Sequence, residues 1–244
     1  KEQKPYYTDY SKPESKFTPV ILNFYVDNQK NFWYANNFWM DKISFFPNAS
    51  QLTTFDSGHE TRAIMVDKQQ NLWVANKKGV IRIFNPDKTL KGYLTPEGII
   101  SPKAISFSRN IYCFTEDEQG NIWMGSKWDG IIRLSPKRDG SFQIRNYVHK
   151  EEDPYSLSNN SVYCIYQDSK KRMWIATHGG GINLLQETAN GKIRFLHNGN
   201  LLKGYSKDKF NKVRVIKEVN NALLVGTTEG LVSFSCNFLR PEDI

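Results

Sequence analysis

Short apolar stretches separated by brief polar turns run along most of the chain, and the arrangement returns at intervals of about 40 to 50 residues. Within a stretch, apolar and polar residues tend to alternate, as in VILNFYVD and SVYCIYQD. This two-residue period is typical of β-strands, and no helical period competes with it over any length. The pattern therefore predicts an all-β chain made of copies of one unit.

A tryptophan stands at the same place in four copies, and an acidic residue stands six positions before it. The tryptophans are Trp33, Trp73, Trp123 and Trp174, with Leu224 in a fifth copy, and the acids are Asp27, Asp67, Asp117, Asp168 and Glu218. We predict that each acid caps a tight turn by accepting backbone N–H bonds. We predict that each large aromatic residue packs one unit on the next, although its face would also suit a sugar ring.

Each copy reads as four antiparallel strands, A to D, with the acid in the A–B turn and the tryptophan in strand B. Such a unit is a β-propeller blade, which buries its faces against neighbouring blades. The prediction is one all-β propeller domain, or a propeller segment, over residues 1–244, with blades at 20–56, 61–94, 104–148, 161–197 and 211–235. The residues after Ser235 read poorly as a fourth strand. Either Tyr6 to Tyr10 closes a five-bladed ring, or the chain is part of a larger ring, for example of seven blades.

The segment from Asp117 to Leu134 contains GNIWMGS followed by GIIRL. Together with SLSNNSVYCIYQD ending at Asp168 and WIATHGGGINLL from Trp174, it resembles the two-component regulator propeller repeat. The resemblance covers about residues 20–235 and is closest in blades three and four, since blade one lacks the glycine before strand C and blade five lacks the tryptophan. It implies the periplasmic sensor region of an inner-membrane histidine kinase, often a hybrid kinase responding to oligosaccharides, and a ring larger than five blades.

Charge and composition narrow the classes of partner. The net charge of +8 and pI near 9.2 suit anionic partners. The lysines are scattered and no arginine-rich run occurs, so we expect no nucleic-acid binding. No stretch reaches the ~20 apolar residues of a membrane span, and residues 1–10 lack the apolar core of a signal peptide, so we expect no membrane span within this segment.

No motif points to catalysis, a metal or a cofactor. The four histidines are spread over different blades without zinc-ligand spacing, and the sequences typical of serine hydrolases and nucleotide sites are missing. We therefore predict no catalytic residue, no metal and no cofactor, and interpret the chain as non-enzymatic. Cys113 and Cys164 take matching positions in strand A and are predicted to be buried free thiols, whereas the role of Cys236 stays open.

Ligand contacts are expected on the face of the propeller that carries the variable B–C and D–A loops, because binding residues concentrate on such loops. The candidate ligand-binding residues are Asn36, Asn37, Lys77, Lys127, Trp128, Asp129, Tyr155, His178 and Glu229. Trp128 interrupts a turn otherwise made of small or charged residues. It would stack on a sugar while Lys127 and Asp129 bond the sugar's polar groups, or it would contact a neighbouring loop or a dimer partner.

The leading hypothesis is a non-catalytic, ligand-sensing propeller that recognises a glycan or passes a signal to adjoining propeller or signalling domains of the same parent chain. An oligosaccharide is the expected ligand, and a homodimer is a further partner to test. One alternative is a protein-interaction scaffold that uses the same face. The other is a polysaccharide lyase or hydrolase, which needs a cluster of His, Tyr and acidic residues from several blades at the propeller axis.

Overall fold

The computed structural model describes residues 23–27, 31–35, 40–46, 49–56, 60–206 and 208–244, and its regular structure is almost entirely β. Blade one contains β1 (Asn23–Val26), β2 (Phe32–Ala35), β3 (Met40–Phe46) and β4 (Ala49–Asp56). Blade two contains β5 (Thr61–Val66), β6 (Leu72–Asn76), β7 (Ile81–Phe84), β8 (Leu90–Leu94) and β9 (Ile100–Ser101). Blade three contains β10 (Ile111–Glu116), β11 (Ile122–Ser126), β12 (Ile131–Pro136) and β13 (Phe142–Tyr147). Blade four contains β14 (Val162–Gln167), β15 (Met173–Thr177), β16 (Gly181–Glu187) and β17 (Ile193–Leu196), and blade five contains β18 (Val213–Val219), β19 (Ala222–Thr227) and β20 (Gly230–Ser235).

Every sheet is an antiparallel meander in which strands pair in chain order, so the predicted all-β propeller architecture is confirmed. Blade two differs from the prediction because the short β9 pairs with β8 and extends the sheet to five strands. Blade five has three strands, and after Ser235 the chain forms a single 3-10 turn at Pro241–Asp243. The prediction that this tail does not read as a fourth strand is therefore confirmed.

The first strand of each blade, strand A, lies innermost. β1 neighbours β5, β5 neighbours β10, β10 neighbours β14, and β14 neighbours β18, so the A strands follow one another around the propeller axis. No packing of this extent joins β18 to β1 among the strands that the structure describes. The described blades thus form an arc, and the segment predicted to close a five-bladed ring, from Tyr6 to Tyr10, lies outside the described residues.

The blade tryptophans hold the blades together, as predicted. The ring centroid of Trp73 lies 6.3 Å from Phe114 and 5.9 Å from Phe142, both in blade three. Trp174 is fully buried and meets Phe234 of blade five edge-on at 5.5 Å. Each core cluster accordingly mixes residues from two blades, which is how a propeller buries both faces of every sheet.

The acid at the start of the A–B turn bonds the turn backbone and also the blade tryptophan. In blade two, Asp67 Oδ1 accepts the N–H of Asn71 at 2.8 Å, and Asp67 Oδ2 accepts the indole N–H of Trp73 at 2.8 Å. The same indole bond measures 2.9 Å to Asp27, 2.7 Å to Asp117 and 2.9 Å to Asp168. The predicted turn cap is confirmed in blades one to four, and the indole bond explains why the acid and the tryptophan are six residues apart.

Glu218 does not take the place of the capping acids, so its assignment as a fifth copy is wrong. The hairpin of blade five is one residue shorter than in the other blades, with Asn220 and Asn221 both at positive φ in a two-residue turn. Glu218 consequently lies inside β18 and bonds the preceding blade, where its carboxylate accepts the N–H and Oγ–H of Ser169 at 2.6 Å each. Glu116 accepts the N–H of Lys68 at 2.6 Å in the same way.

The cysteine thiols of strand A face packed protein. Cys113 and Cys164 are free and contact the cores that join blade three to four and blade four to five. Burial is the main cause that raises the pKa of both thiols, which disfavours the reactive thiolate.

We expect neither Cys113 nor Cys164 to react with a thiol reagent in the native protein at neutral pH, because the raised pKa disfavours the thiolate and both side chains pack against blade cores. Labelling followed by intact-mass measurement tests this. Lys170→Cys, on an exposed turn, supplies a positive control that should label at once. Rapid modification of the wild-type protein without denaturant would contradict the burial of these thiols.

Candidate functional site

Strand A of blades two to five begins with a β-bulge, in which one residue has no partner in the regular pairing with strand B. The interruptions fall between Thr61 and Ala63, Ile111 and Cys113, Val162 and Cys164, and Val213 and Val215. The residues inside the bulges are Arg62, Tyr112, Tyr163 and Arg214, which we call the axial row. A bulge re-aims a side chain, and because strand A is innermost, these four side chains come together at the propeller axis.

The side chains of the axial row touch from blade to blade. The Arg62 guanidinium lies 5.3 Å from the ring centre of Tyr112, and the rings of Tyr112 and Tyr163 are 4.7 Å apart. Arg214 lies 4.8 Å from the ring centre of Tyr163, which also meets His178 at 5.2 Å. An unbroken row of cationic and aromatic groups therefore crosses four blades.

In blades two to five, a backbone hydrogen bond holds the first residue of the B–C loop beside this row, and its acceptor is the residue that precedes strand A. These loop residues are Lys77, Lys127, His178 and Thr228, and their N–H groups donate to the carbonyls of Glu60, Asn110, Ser161 and Lys212 at 2.8, 3.0, 2.8 and 3.1 Å, respectively. We call these eight residues the loop arc. The repeated backbone bond places equivalent side chains from four blades at the same end of the axis.

Positive charge dominates the axial row and the loop arc. Glu60 pairs with Arg62 at 2.6 Å and with Lys77 at 3.0 Å. Across residues 60–206 and 208–244, neither Lys212 nor Arg214 has a carboxylate partner within ion-pair distance. Burial, followed by the charges of Arg214 and Lys212, lowers the pKa of His178. The tyrosines are also affected, since burial is the main cause that raises the pKa of Tyr112.

The structure brings three of the predicted ligand-binding residues to the loop arc: Lys77, Lys127 and His178. Trp128 follows on the rim with 67% of its surface exposed, and the Lys127 ammonium lies 5.0 Å from its ring centre. Asp129 is in the same turn, where its backbone N–H donates to Ser126 Oγ at 2.8 Å.

Two predicted ligand-binding residues make contacts away from the axial row, and two others lie outside the described residues. Glu229 uses its carboxylate to accept the N–H of Phe210 at 2.8 Å, so it joins the B–C loop of blade five to the segment that leads into β18. Tyr155 lies under Arg194, 4.8 Å from its ring centre, in a groove of about 440 Å³ lined by strands β13 and β17 and apart from the axial row. Asn36 and Asn37 lie outside the described residues.

Sequence reasoning missed the axial row. Tyr112 and Tyr163 each stand directly before a cysteine that was recognised as a repeated strand A position, so their own repetition was visible. Strict alternation would place them in a blade interface opposite the cysteines, whereas the bulge turns them to the axis. A bulge has no reliable residue signature, which is why spacing alone did not reveal this site.

The described residues contain no cluster of three His, Cys, Asp or Glu side chains arranged to hold a metal ion. None of their helical turns has the length and apolar character that a membrane-crossing helix needs.

Comparison with known sequences relates two blades to one family. Residues 106–128 and 156–179 match the family described as two component regulator propeller. A 149-residue stretch, 59% of this chain, is 30% identical to a histidine kinase, P4, of Formosa agariphila. This stretch corresponds to 10% of the kinase, so the chain spans a small part of that relative.

Solved structures share the fold at low sequence identity. The extracellular domain of a putative hybrid two component system from B. thetaiotaomicron superposes with a TM-score of 0.61 at 20% identity, covering 89% of this chain and 28% of that one. Virginiamycin B lyase from Staphylococcus aureus gives a TM-score of 0.56 at 15% identity, covering 91% of this chain and 71% of the lyase. At such identities the likeness establishes the propeller fold alone.

Proposed function

Because two of its blades are two-component regulator propeller repeats, we propose that this chain belongs to the extracytoplasmic sensor region of a two-component histidine kinase. In this role it binds a ligand without transforming it. The match at residues 106–128 and 156–179 is the observation that carries the proposal, and the kinase relative supports it. The chain corresponds to a small share of that relative, so phosphoryl transfer belongs to other domains of the parent protein, and the propeller passes its signal to them.

We assign ligand recognition to the face that carries the axial row and the loop arc. The two features combine fixed backbone, held by four equivalent bonds, with side chains that differ from blade to blade. That combination is typical of binding surfaces on repeat scaffolds. The exposed ring of Trp128, beside the ammonium of Lys127, suits the face of a sugar, and an oligosaccharide is the ligand class that we propose.

We expect Trp128→Ala to weaken oligosaccharide binding about three- to tenfold, the contribution of one aromatic stacking contact. Isothermal calorimetry with acidic and neutral oligosaccharides, preceded by a thermal-shift screen, measures this. The matched control is Leu239→Ala, which removes another exposed apolar side chain away from this face and should leave affinity unchanged. If no oligosaccharide binds, glycan sensing is wrong, and cross-linking to the parent kinase domains then tests the scaffold alternative.

The axial row also supports a second candidate, a polysaccharide lyase, because Tyr112, Tyr163, His178 and Glu60 meet at the axis. Such an enzyme requires a tyrosine or histidine that removes a proton from the sugar. The pKa of Tyr112 is raised, mainly by burial, which is opposite to what a basic phenolate needs. Binding therefore ranks first, and the release of unsaturated products from a polyuronate would reverse that order.

A further inference from the structure

We propose that the axial row and the loop arc form an anion-binding site, and that the sensed ligand is an acidic oligosaccharide whose carboxylate contacts Arg214 and Lys212. The inference rests on the proposed sensing function and specifies the chemistry of its ligand. It assigns the ligand-binding role chiefly to residues of blades four and five.

The charge balance at the axis is the first support. Five cationic residues from blades two, three and five lie at one end of the axis: Arg62, Lys77, Lys127, Lys212 and Arg214. Among the described residues, the ion pairs that these five cations form are those of Arg62 and Lys77 with Glu60. Cations gathered in this way raise the local concentration of anions and favour their binding.

The orientation of Arg214 is the second support. Its guanidinium lies over the ring of Tyr163 at 4.8 Å, which restricts the side chain. Among the described residues no carboxylate pairs with this guanidinium, so its N–H groups can meet a ligand. A guanidinium held in this way matches both oxygens of a carboxylate. Lys212 precedes the same strand, and its backbone is bridged to His178. Its charge, like that of Arg214, lowers the pKa of His178, so both cations lie near the same imidazole.

The other side chains of the site suit the hydroxyl groups and the apolar face of a sugar. Tyr112 and Tyr163 bring phenol groups to the site, and a phenol can donate a hydrogen bond to a hydroxyl or carboxylate. His178 has a lowered pKa and is mostly neutral at pH 7, which allows it to bond sugar hydroxyls as donor or acceptor. Trp128, on the rim of the same face, adds an apolar surface for a second sugar unit.

Calorimetry with matched probes tests the proposal. The probes are trigalacturonate and triglucuronate, each compared with its fully methyl-esterified form, which keeps the sugar and removes the charge. We expect the acids to bind at least about tenfold more tightly than the esters, and Arg214→Gln to weaken acid binding about 10- to 100-fold, the effect of one charge-assisted hydrogen bond. Lys212→Gln should act in the same direction, and added salt should weaken binding of the acids more than of the esters.

The control variant is Lys170→Gln, which removes one positive charge from an A–B turn at the opposite face and should change affinity less than about twofold. Arg214 and Lys170 are both exposed, so thermal melts should show that both variants stay folded. If acids and esters bind alike, or if Arg214→Gln binds acids as well as Lys170→Gln does, the anion site is refuted while glycan sensing stands. If neither acids, esters nor the neutral panel bind, the proposed function itself fails.

Discussion

Replacing Trp123 by alanine should lower the free energy of unfolding by about 3 to 5 kcal/mol. The indole is 3% exposed and packs in the core that joins blades three and four. It stacks on Tyr147 at a centroid distance of 6.0 Å, and the Arg133 guanidinium lies 5.1 Å from its ring centre. Alanine would leave a cavity at a blade interface and deprive Asp117 of an indole N–H donor. Urea unfolding followed by circular dichroism measures the loss.

Trp128→Ala is the matched control, because it removes the same side chain from the same blade at a site that is 67% exposed. Its effect should stay within about 0.5 kcal/mol. Equal destabilisation by the two changes would mean that Trp128 is packed in solution and would remove it from the proposed binding face.

The fold could be predicted because the residues that recur from blade to blade have local roles. Asp117 caps a turn within its own hairpin, and Trp123 packs where its strand must meet the next blade, so both repeat with the blade. The indole bond between them could have been inferred from their fixed spacing, since the turn folds the two residues onto each other.

The departures from prediction come from backbone register, which residue spacing does not determine. Glu218 keeps the six-residue spacing to Leu224, yet a hairpin that is one residue shorter moves it inside the strand. Tyr163 would belong to a blade interface by alternation, and a bulge sends it to the axis. In both cases one inserted or deleted residue exchanges the two faces of a strand.

The loop residues of the candidate site could be predicted from the sequence, whereas the axial row could not. Lys77, Lys127 and His178 were identified because B–C loops vary beside a rigid scaffold, and the structure places them at one end of the axis. Tyr155 was grouped with them because its loop joins strands D and A. That loop is long, and Tyr155 instead lies between the outer strands. Loop type alone therefore does not tell how near a residue lies to the axis.

Replacing Asp117 by asparagine should cost about 1 to 3 kcal/mol although the two side chains have nearly the same shape. The carboxylate accepts five hydrogen bonds, from the backbone N–H of Gln119 and Asn121, twice from the Asn121 amide, and from the Trp123 indole at 2.7 Å. An asparagine amide would turn an NH₂ group towards one set of these donors, leaving buried N–H groups without an acceptor. Asp139→Asn is the control: its exposed Oδ1 accepts from Ser141, which an amide oxygen can replace, so the change should stay within about 0.5 kcal/mol.

A double-mutant cycle separates the indole bond from the turn cap. Trp123→Phe removes the N–H donor and keeps an aromatic ring at the blade interface, so in that background Asp117→Asn should lose less stability than in the wild type. We expect a coupling free energy of about 0.5 to 2 kcal/mol, because the two side chains are in direct contact. Strictly additive effects would mean that the carboxylate serves the turn alone. The six-residue spacing would then reflect turn geometry and blade packing independently, and the indole bond would contribute nothing to the stability of the repeat.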